Sequence, residues 1–558
     1  MEMLREVTAV FLLLVGASVQ AADFDVLIRN GLIYDGTGTP AFEADLGIDG
    51  DRIVAIGMFQ DSSAEVEIDA SGLAVSPGFI NMLSHAHLSL LKDGRSMSDV
   101  MQGVTLEVLS ELSFSPLVDS SVDFMRDLSF YKDIDFSWRS LAEYLEVVER
   151  SGSSANFGTF VSAATVRMNV LGMDDKAPTN AQLEEMKRQV DQAMREGAFG
   201  LATALIYAPA FFATTEELIE LAKVAARHGG IYTAHMRSES NQLTEAIEET
   251  LRIGREAGIP VKIHHLKAGG VPNWSKIDSI LERIDALRRQ GVEITADMYT
   301  YTAGASGLSA AMPPWVQAGG LEEWITRLQN PEIRERLIAE MSRNTDEWEN
   351  LGYLAGPDRM LMTGFKNPEL QKYDGMKLSE IARLRGQDHI ETMLDLVIED
   401  QSRVETTYFL MSEENIKKQI AKPWVMFGSD ESAMSPQEQI LLKSAHPRAY
   451  GNFARLLGKY VREEQVISLT EAIRRLTLLP AQTLGVPDRG RIAPGFYADI
   501  TIFDPKLISD HATFEDPHRF ATGVQHVLVN GIPVVSDGRH TGKLPGRAVR
   551  GPGWTQAQ

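Results

Sequence analysis

The sequence predicts an α/β fold in which parallel strands alternate with helices and a β-rich segment stands at each end of the chain. Three observations carry this reading. In the centre, short apolar runs alternate with amphipathic stretches in units of about 30 residues, the length of a strand with its crossover helix. At both ends the text changes to short alternating runs broken by Asn-Gly and Asp-Gly, residues that tolerate the positive φ of tight hairpins. The 558 residues, 44% hydrophobic and 23% charged, have the composition of an ordinary globular chain long enough for a large core.

The elements follow in order. Met1 to Ala21 joins an apolar run, Ala9 to Ala17, to the small-residue end Val19-Gln20-Ala21. That run is too short to cross a bilayer core of about 30 Å and reads as a cleaved signal peptide, so a secreted or periplasmic protein is expected. Its only basic residue, Arg5, is opposed by Glu2 and Glu6. From residue 22 to 76 the strands Val26-Leu27-Ile28 and Leu32-Ile33-Tyr34 flank Asn30-Gly31, and Asp51 to Gly57 continues the pattern. The same grammar returns in Ala498 to Asp504 and Val527 to Gly531, within the segment 487–558. Isolated hairpins are marginal, so the two ends are expected to build one small β-sandwich together.

Residues 77–486 form the central unit. Gly200 to Tyr207 reads as a strand, followed by a helix with Thr214 as N-cap, Glu217 three residues on, and Gly229-Gly230 as its stop. Ile231 to Met236, Val261 to Leu266 and Val292 to Met298 are the next strands, with helices at Gln242 to Ala257 and Ile277 to Leu287 between them. Periodicity alone leaves a doubly wound sheet and a barrel equally open. The charged, helix-rich stretch of about 321–422, with possible strands at Met360 to Thr363 and Thr407 to Met411, reads as an insertion.

A net charge of −23 from 77 acidic and 54 basic residues argues against a nucleic-acid partner, whose phosphates would be repelled. A small-molecule substrate is expected instead. With no cysteine, disulfide frameworks and thiolate chemistry are excluded.

In a barrel, reactive side chains sit where strands end and loops begin. Four strand ends carry acid, base or ligand types: His235, His264-His265 with Lys267, Asp297 before Tyr299 and Tyr301, and Asp430 after Gly428-Ser429. One histidine at a strand end is more often a hydrogen-bonded structural residue than a ligand. Two on successive strands, with a carboxylate further on, favour a metal site, and imidazole with carboxylate suits zinc.

These residues lie in a colinear series of motifs. Ser76-Pro77-Gly78-Phe79-Ile80, Gly103-Val104-Thr105, Gly197 to Leu201, Tyr232 to Arg237, His265 with Lys267, Gly428-Ser429-Asp430, His446-Pro447-Arg448, Asp488-Arg489-Gly490 and Gly495 to Asp499 follow one another over nearly the whole chain after the leader. The series resembles the D-aminoacylase (N-acyl-D-amino-acid deacylase) branch of the amidohydrolase superfamily. The resemblance implies a TIM-type (β/α)8 barrel with a split β-sandwich, and zinc-dependent hydrolysis of a linear amide such as an N-acyl-D-amino acid. It also implies His235 and His265 as metal ligands, Asp430 as both ligand and proton carrier, and Lys267 as a polar group at the site.

Two departures stand out. Where the family writes His-x-His after Pro-Gly-Phe-Ile, this chain has Asn81-Met82-Leu83-Ser84-His85-Ala86-His87, and without a gap Leu83 takes the first histidine position. A shift restoring His85 and His87 as a pair requires a bulge in the strand. Where the closest relatives commonly place a bridging cysteine, Leu112 falls in register with Glu111 beside it, and a carboxylate oxygen can replace a thiolate. His85, His87 and Glu111 are therefore candidate ligands, and one tightly held Zn²⁺ is expected, with a second in question. Arg448 or Arg237 is expected to hold a substrate carboxylate, with Tyr299 adding a hydrogen bond. Two other readings stay open: a cyclic-amide hydrolase of the dihydroorotase or hydantoinase type, and a non-catalytic secreted binding protein on a degenerate barrel.

Overall fold

Strands buried on both faces need little polar alternation, and the central runs meet that requirement. In this computed structural model, which describes residues 23–128, 133–436 and 445–555, they form a (β/α)8 barrel. Its strand positions are Phe79–Ser84, Val104–Leu109, Asn156–Thr159 continued by Val161–Ser162, Gly200–Ala204, Ile231–His235, Val261–Ile263, Ile294–Met298 and Val425–Phe427. Paired neighbours run parallel. The last strand closes on the first through a parallel Ser84–Glu431 bridge and an Asp430 N–H that donates to the Leu83 carbonyl at 2.8 Å. Only glycine fits this seam, since a Cβ on Gly428 would lie 2.7 Å from the Leu83 backbone nitrogen.

The helices start where local chemistry places them. The Thr214 side chain accepts from Glu217 N–H and opens Thr215–Arg227, and Thr179 with Gln182 makes a capping box for Asn180–Glu196, which Gly197 stops at φ 110°. Their apolar faces cover the barrel in one continuous core.

The two chain ends meet in one nine-stranded sheet. Its joint is the antiparallel pairing of Ile500–Phe503 from one end with Ala74–Pro77 from the other, over a core that includes Val26, Ile28, Leu46, Ile48, Ile500 and Ile502. The expected signal peptide, 1–21, lies outside the described residues.

Between the seventh and eighth barrel strands an inserted unit has a core of its own, with Leu308, Trp324, Leu328, Met362, Leu394 and Tyr408 among its members. It begins earlier than the expected residue 321. Gly304–Gly307 pairs antiparallel with Glu405–Tyr408, which pairs in turn with Met360–Gly364. The strand expected at Thr407 to Met411 is thus set by pairing at 405–408, where all four residues are buried.

Candidate active site

The acid and imidazole groups gather at the C-terminal end of the barrel. His235 ends its strand, while Glu111, His265 and Asp430 lie two or three residues beyond theirs in left-handed backbone at φ 66°, 30° and 53°. Such conformations are costly for residues with a Cβ and persist where neighbouring contacts enforce them. At His265 the enforcing contact is the buried Asp297 carboxylate, which accepts the His265 N–H at 2.7 Å. Asp297 also takes Lys262 and His264 on the strand before it. This strand-end aspartate thus underpins the site from below.

Glu111 sits at the centre. Its Oε1 lies 2.7 Å from His265 Nε2 and 3.3 Å from His235 Nδ1, and its Oε2 is 3.9 Å from His85 Nε2. The His235 and His265 rings stand perpendicular with centroids 4.5 Å apart. His85 Nε2 is 2.9 Å from Asp430 Oδ1. Ligand atoms of Glu111, His235 and His265 fall within 4.8 Å of one another, as do those of His85, Glu111 and Asp430. Of the expected ligands, His235, His265, Asp430, Glu111 and His85 fall in these two groups with Glu111 common to both, and His235 also forms a third group with Glu239 and Glu349.

The first barrel strand explains how His85 arrives. Asn81 pairs with Glu107 but Ser84 pairs with Leu109, so three residues advance against two on the neighbouring strand, the slip a bulge produces. His87 does not follow. Its ring packs against Phe114 and Tyr144, with centroids 5.4 and 6.3 Å away, and burial, with His85 adding to it, lowers its pKa to about 3. His87 belongs to none of the ligand groups, although it lines the same cavity and its buried Nε2 has no hydrogen-bond partner among the described residues.

Two carboxylates not anticipated from the sequence complete the surroundings. Glu239 Oε1 lies 2.9 Å from His265 Nδ1 and its Oε2 accepts from Lys267 Nζ at 2.7 Å. Glu239 follows His235 by four residues, a spacing that could have drawn notice. Glu349 comes from the insertion and accepts the Glu239 N–H at 2.7 Å; no local pattern points to it. Burial with the neighbouring Glu239 raises the Glu349 carboxyl, whereas opposite charges prevail at His265, Glu239, Asp430 and Glu111. Glu239 and Lys267 both act on His265, and Glu239 with its neighbours holds that imidazole well above its ordinary pKa. His265, Lys267 and His235 hold Glu239 down at about 2. Arg448, His265 and His85 hold Asp430 below the usual carboxylate range, as His235 and His265 do for Glu111.

Arg448 Nη1 is 2.6 Å from Asp430 Oδ2, and its guanidinium carbon lies 4.4 Å from the Tyr299 ring centroid. Its Nε is buried without a hydrogen-bond partner among the described residues. Arg237 is corrected out of substrate binding. Its guanidinium grips Glu249 through Nε and Nη2, each at 2.9 Å, and donates to the Phe211 and Ala213 carbonyls, so the helix and loop behind the strand consume its donors. Lys267, Tyr299 and Arg448 line the same cavity of about 400 Å³ as Glu111, His235 and His265.

Comparison with known proteins gives matches over nearly the whole chain. Residues 66–535 match the family model described as Amidohydrolase family. D-aminoacylase of Alcaligenes xylosoxydans xylosoxydans is 33% identical over 94% of this chain and 97% of its own length. N-acyl-D-glutamate deacylase of the same organism is 30% identical over 94% of this chain and 96% of its own. The solved N-acyl-D-glutamate deacylase of Bordetella bronchiseptica, complexed with zinc and a phosphonate mimic of the tetrahedral intermediate, superposes with a TM-score of 0.77 at 30% identity, covering 94% of this chain and 99% of that one.

Proposed function

We propose, from the premise that this chain belongs to the amidohydrolase family and acts on C–N bonds as those enzymes do, that it hydrolyses the amide bond of N-acyl amino acids, N-acyl-D-amino acids foremost, with one tightly held zinc ion. The observation that carries the reading is Glu111, a buried carboxylate shared between His235 with His265 on one side and His85 with Asp430 on the other, facing the Arg448 and Tyr299 wall of the same cavity.

The residues fit a divalent cation. Imidazole nitrogen and carboxylate oxygen are the donors zinc accepts, and a buried carboxylate between two imidazoles is a charge arrangement that a cation would stabilise. His235, His265 and Glu111 would hold the ion, with His85 and Asp430 bordering it. When bound, the ion supplies polarisation of the scissile carbonyl and a lowered pKa for water.

The rest falls to the chain. Asp430, kept anionic by Arg448, takes the proton of the attacking water and returns it to the departing nitrogen, which leaves readily only as an amine. Arg448, whose buried Nε has no hydrogen-bond partner among the described residues, and Tyr299 receive the substrate carboxylate. Glu239 fixes the His265 ring through Nδ1 and keeps Lys267 in place. The test is elemental analysis of purified protein combined with turnover of a panel of N-acyl-D- and N-acyl-L-amino acids and cyclic ureides. Release of free amino acid that chelation stops is the expected result; full activity in metal-free protein, or turnover of cyclic ureides alone, overturns it.

A further inference from the structure

We infer that His264, held by Lys262, is a positioning residue that fixes the spacing of the metal-side groups from beneath the site; the inference rests on the metal reading above. His264 and His265 are adjacent, yet only His265 lines the cavity. His265 leaves its strand through left-handed backbone at φ 30°, whereas His264 stays in the barrel interior, fully buried together with Lys262. Lys262 Nζ has three protons and meets three acceptors: the Met82 carbonyl at 3.0 Å, His264 Nδ1 at 2.9 Å and the Asp297 carboxylate. An ammonium only donates, so His264 Nδ1 accepts and its Nε2 carries the ring proton. That nitrogen lies 2.8 Å from Ser110 Oγ and 3.0 Å from Thr233 Oγ1.

The partners of this pair are distributed over four other strands of the barrel, each next to a group of the site. Ser110 immediately precedes Glu111, and Thr233 stands two residues before His235. Asp297 accepts the His265 N–H at 2.7 Å. Met82 lies between Asn81 and Ser84, in the slipped stretch that carries His85. Lys262 and His264 therefore tie together the strand ends that supply His235, His265 and Glu111, and reach the strand of His85 as well. Ser110, Thr233, Asp297 and Met82 are all buried, and a polar network with its members satisfied in a low-dielectric interior is rigid. Rigidity matters here because a misplacement of about 1 Å can cost on the order of 100-fold in rate.

The experiment uses cobalt(II) in place of zinc, because its visible spectrum reports ligand geometry without any turnover. Wild type is compared with His264→Leu, which removes both ring nitrogens, and with His264→Gln, whose terminal N–H can reach the same two hydroxyls. The leucine variant is expected to bind cobalt at least about tenfold more weakly, at the lower end of what losing a supporting partner costs, and to show a shifted spectrum. The glutamine variant is expected to recover both to within about threefold of wild type. A folded leucine variant with the wild-type spectrum and affinity overturns the inference, even if its melting temperature falls, since that is what packing alone would give. Should His264→Leu fail to fold, the double variant Ser110→Ala with Thr233→Val decides, and unchanged cobalt affinity there overturns the inference equally. Wild-type protein that binds no cobalt overturns the metal reading and this inference with it, whereas binding that no variant alters overturns the inference alone.

Discussion

Glu111 Oε1 lies 2.7 Å from His265 Nε2, a contact between residues 154 positions apart in the chain that joins the two halves of the site. If this carboxylate is a ligand, Glu111→Ala should lose bound metal and reduce kcat/KM by at least about 10- to 100-fold, the range that losing even a ligand's supporting partner costs. Glu111→Cys should keep the metal, since a thiolate is an equally good donor. Elemental analysis of the purified variants checks both; an alanine variant with full metal content sinks the assignment.

Asp430→Asn should abolish turnover while leaving the melting temperature within a few degrees of wild type. The amide keeps the shape of the carboxylate but cannot take a proton. Retained turnover would remove Asp430 from the proton-transfer role.

His85 and His87 should behave differently despite their proximity in sequence. His85→Ala removes the group 2.9 Å from Asp430 Oδ1 and should lower kcat. His87→Leu fills the space against Phe114 and Tyr144 and should keep metal content unchanged. Equal metal loss in the two variants would restore His87 as a ligand.

Arg237→Ala should cost stability, roughly 1–2 kcal/mol for a partly exposed, bidentate pair, with KM little changed, because its guanidinium is spent on Glu249 and two carbonyls. Chemical denaturation together with KM separates this from a substrate role.

Beneath the site, Asn81 Nδ2 donates at 3.0 Å to Asp99 and at 3.2 Å to Glu107, and burial raises Glu107 to about 7 and Asp99 well above its ordinary value, with Glu107 adding to it. A carboxyl that binds its proton more tightly when folded contributes most at low pH. Its contribution declines as pH rises from the unfolded value near 4.5 and levels off once pH passes about 7. Glu107→Gln should therefore flatten the fall in stability between about pH 5 and 7. Urea unfolding at several pH values reads this directly, and an unchanged slope in the variant would show that Glu107 does not titrate there.

The sequence by itself determined the alternation of strand and helix, the joining of both ends in β-structure, and the strand-end positions of His235, His265 and Asp430. These follow from local chemistry: two-face burial writes apolar strands, Thr214 and Gly197 punctuate helices, and a strand end is a position along the chain. Tertiary structure alone decided which groups meet. Glu111 and His235 are 124 residues apart, and His85 and Asp430 are 345 apart, so their contacts depend on barrel closure and on a one-residue slip in the first strand. Glu349 enters from a separately packed insertion, and Arg237 turns away because Glu249 on the next helix offers a better partner. None of this has a period or spacing to read, since a distance between strand ends is set by how the sheet closes and not by any segment within it.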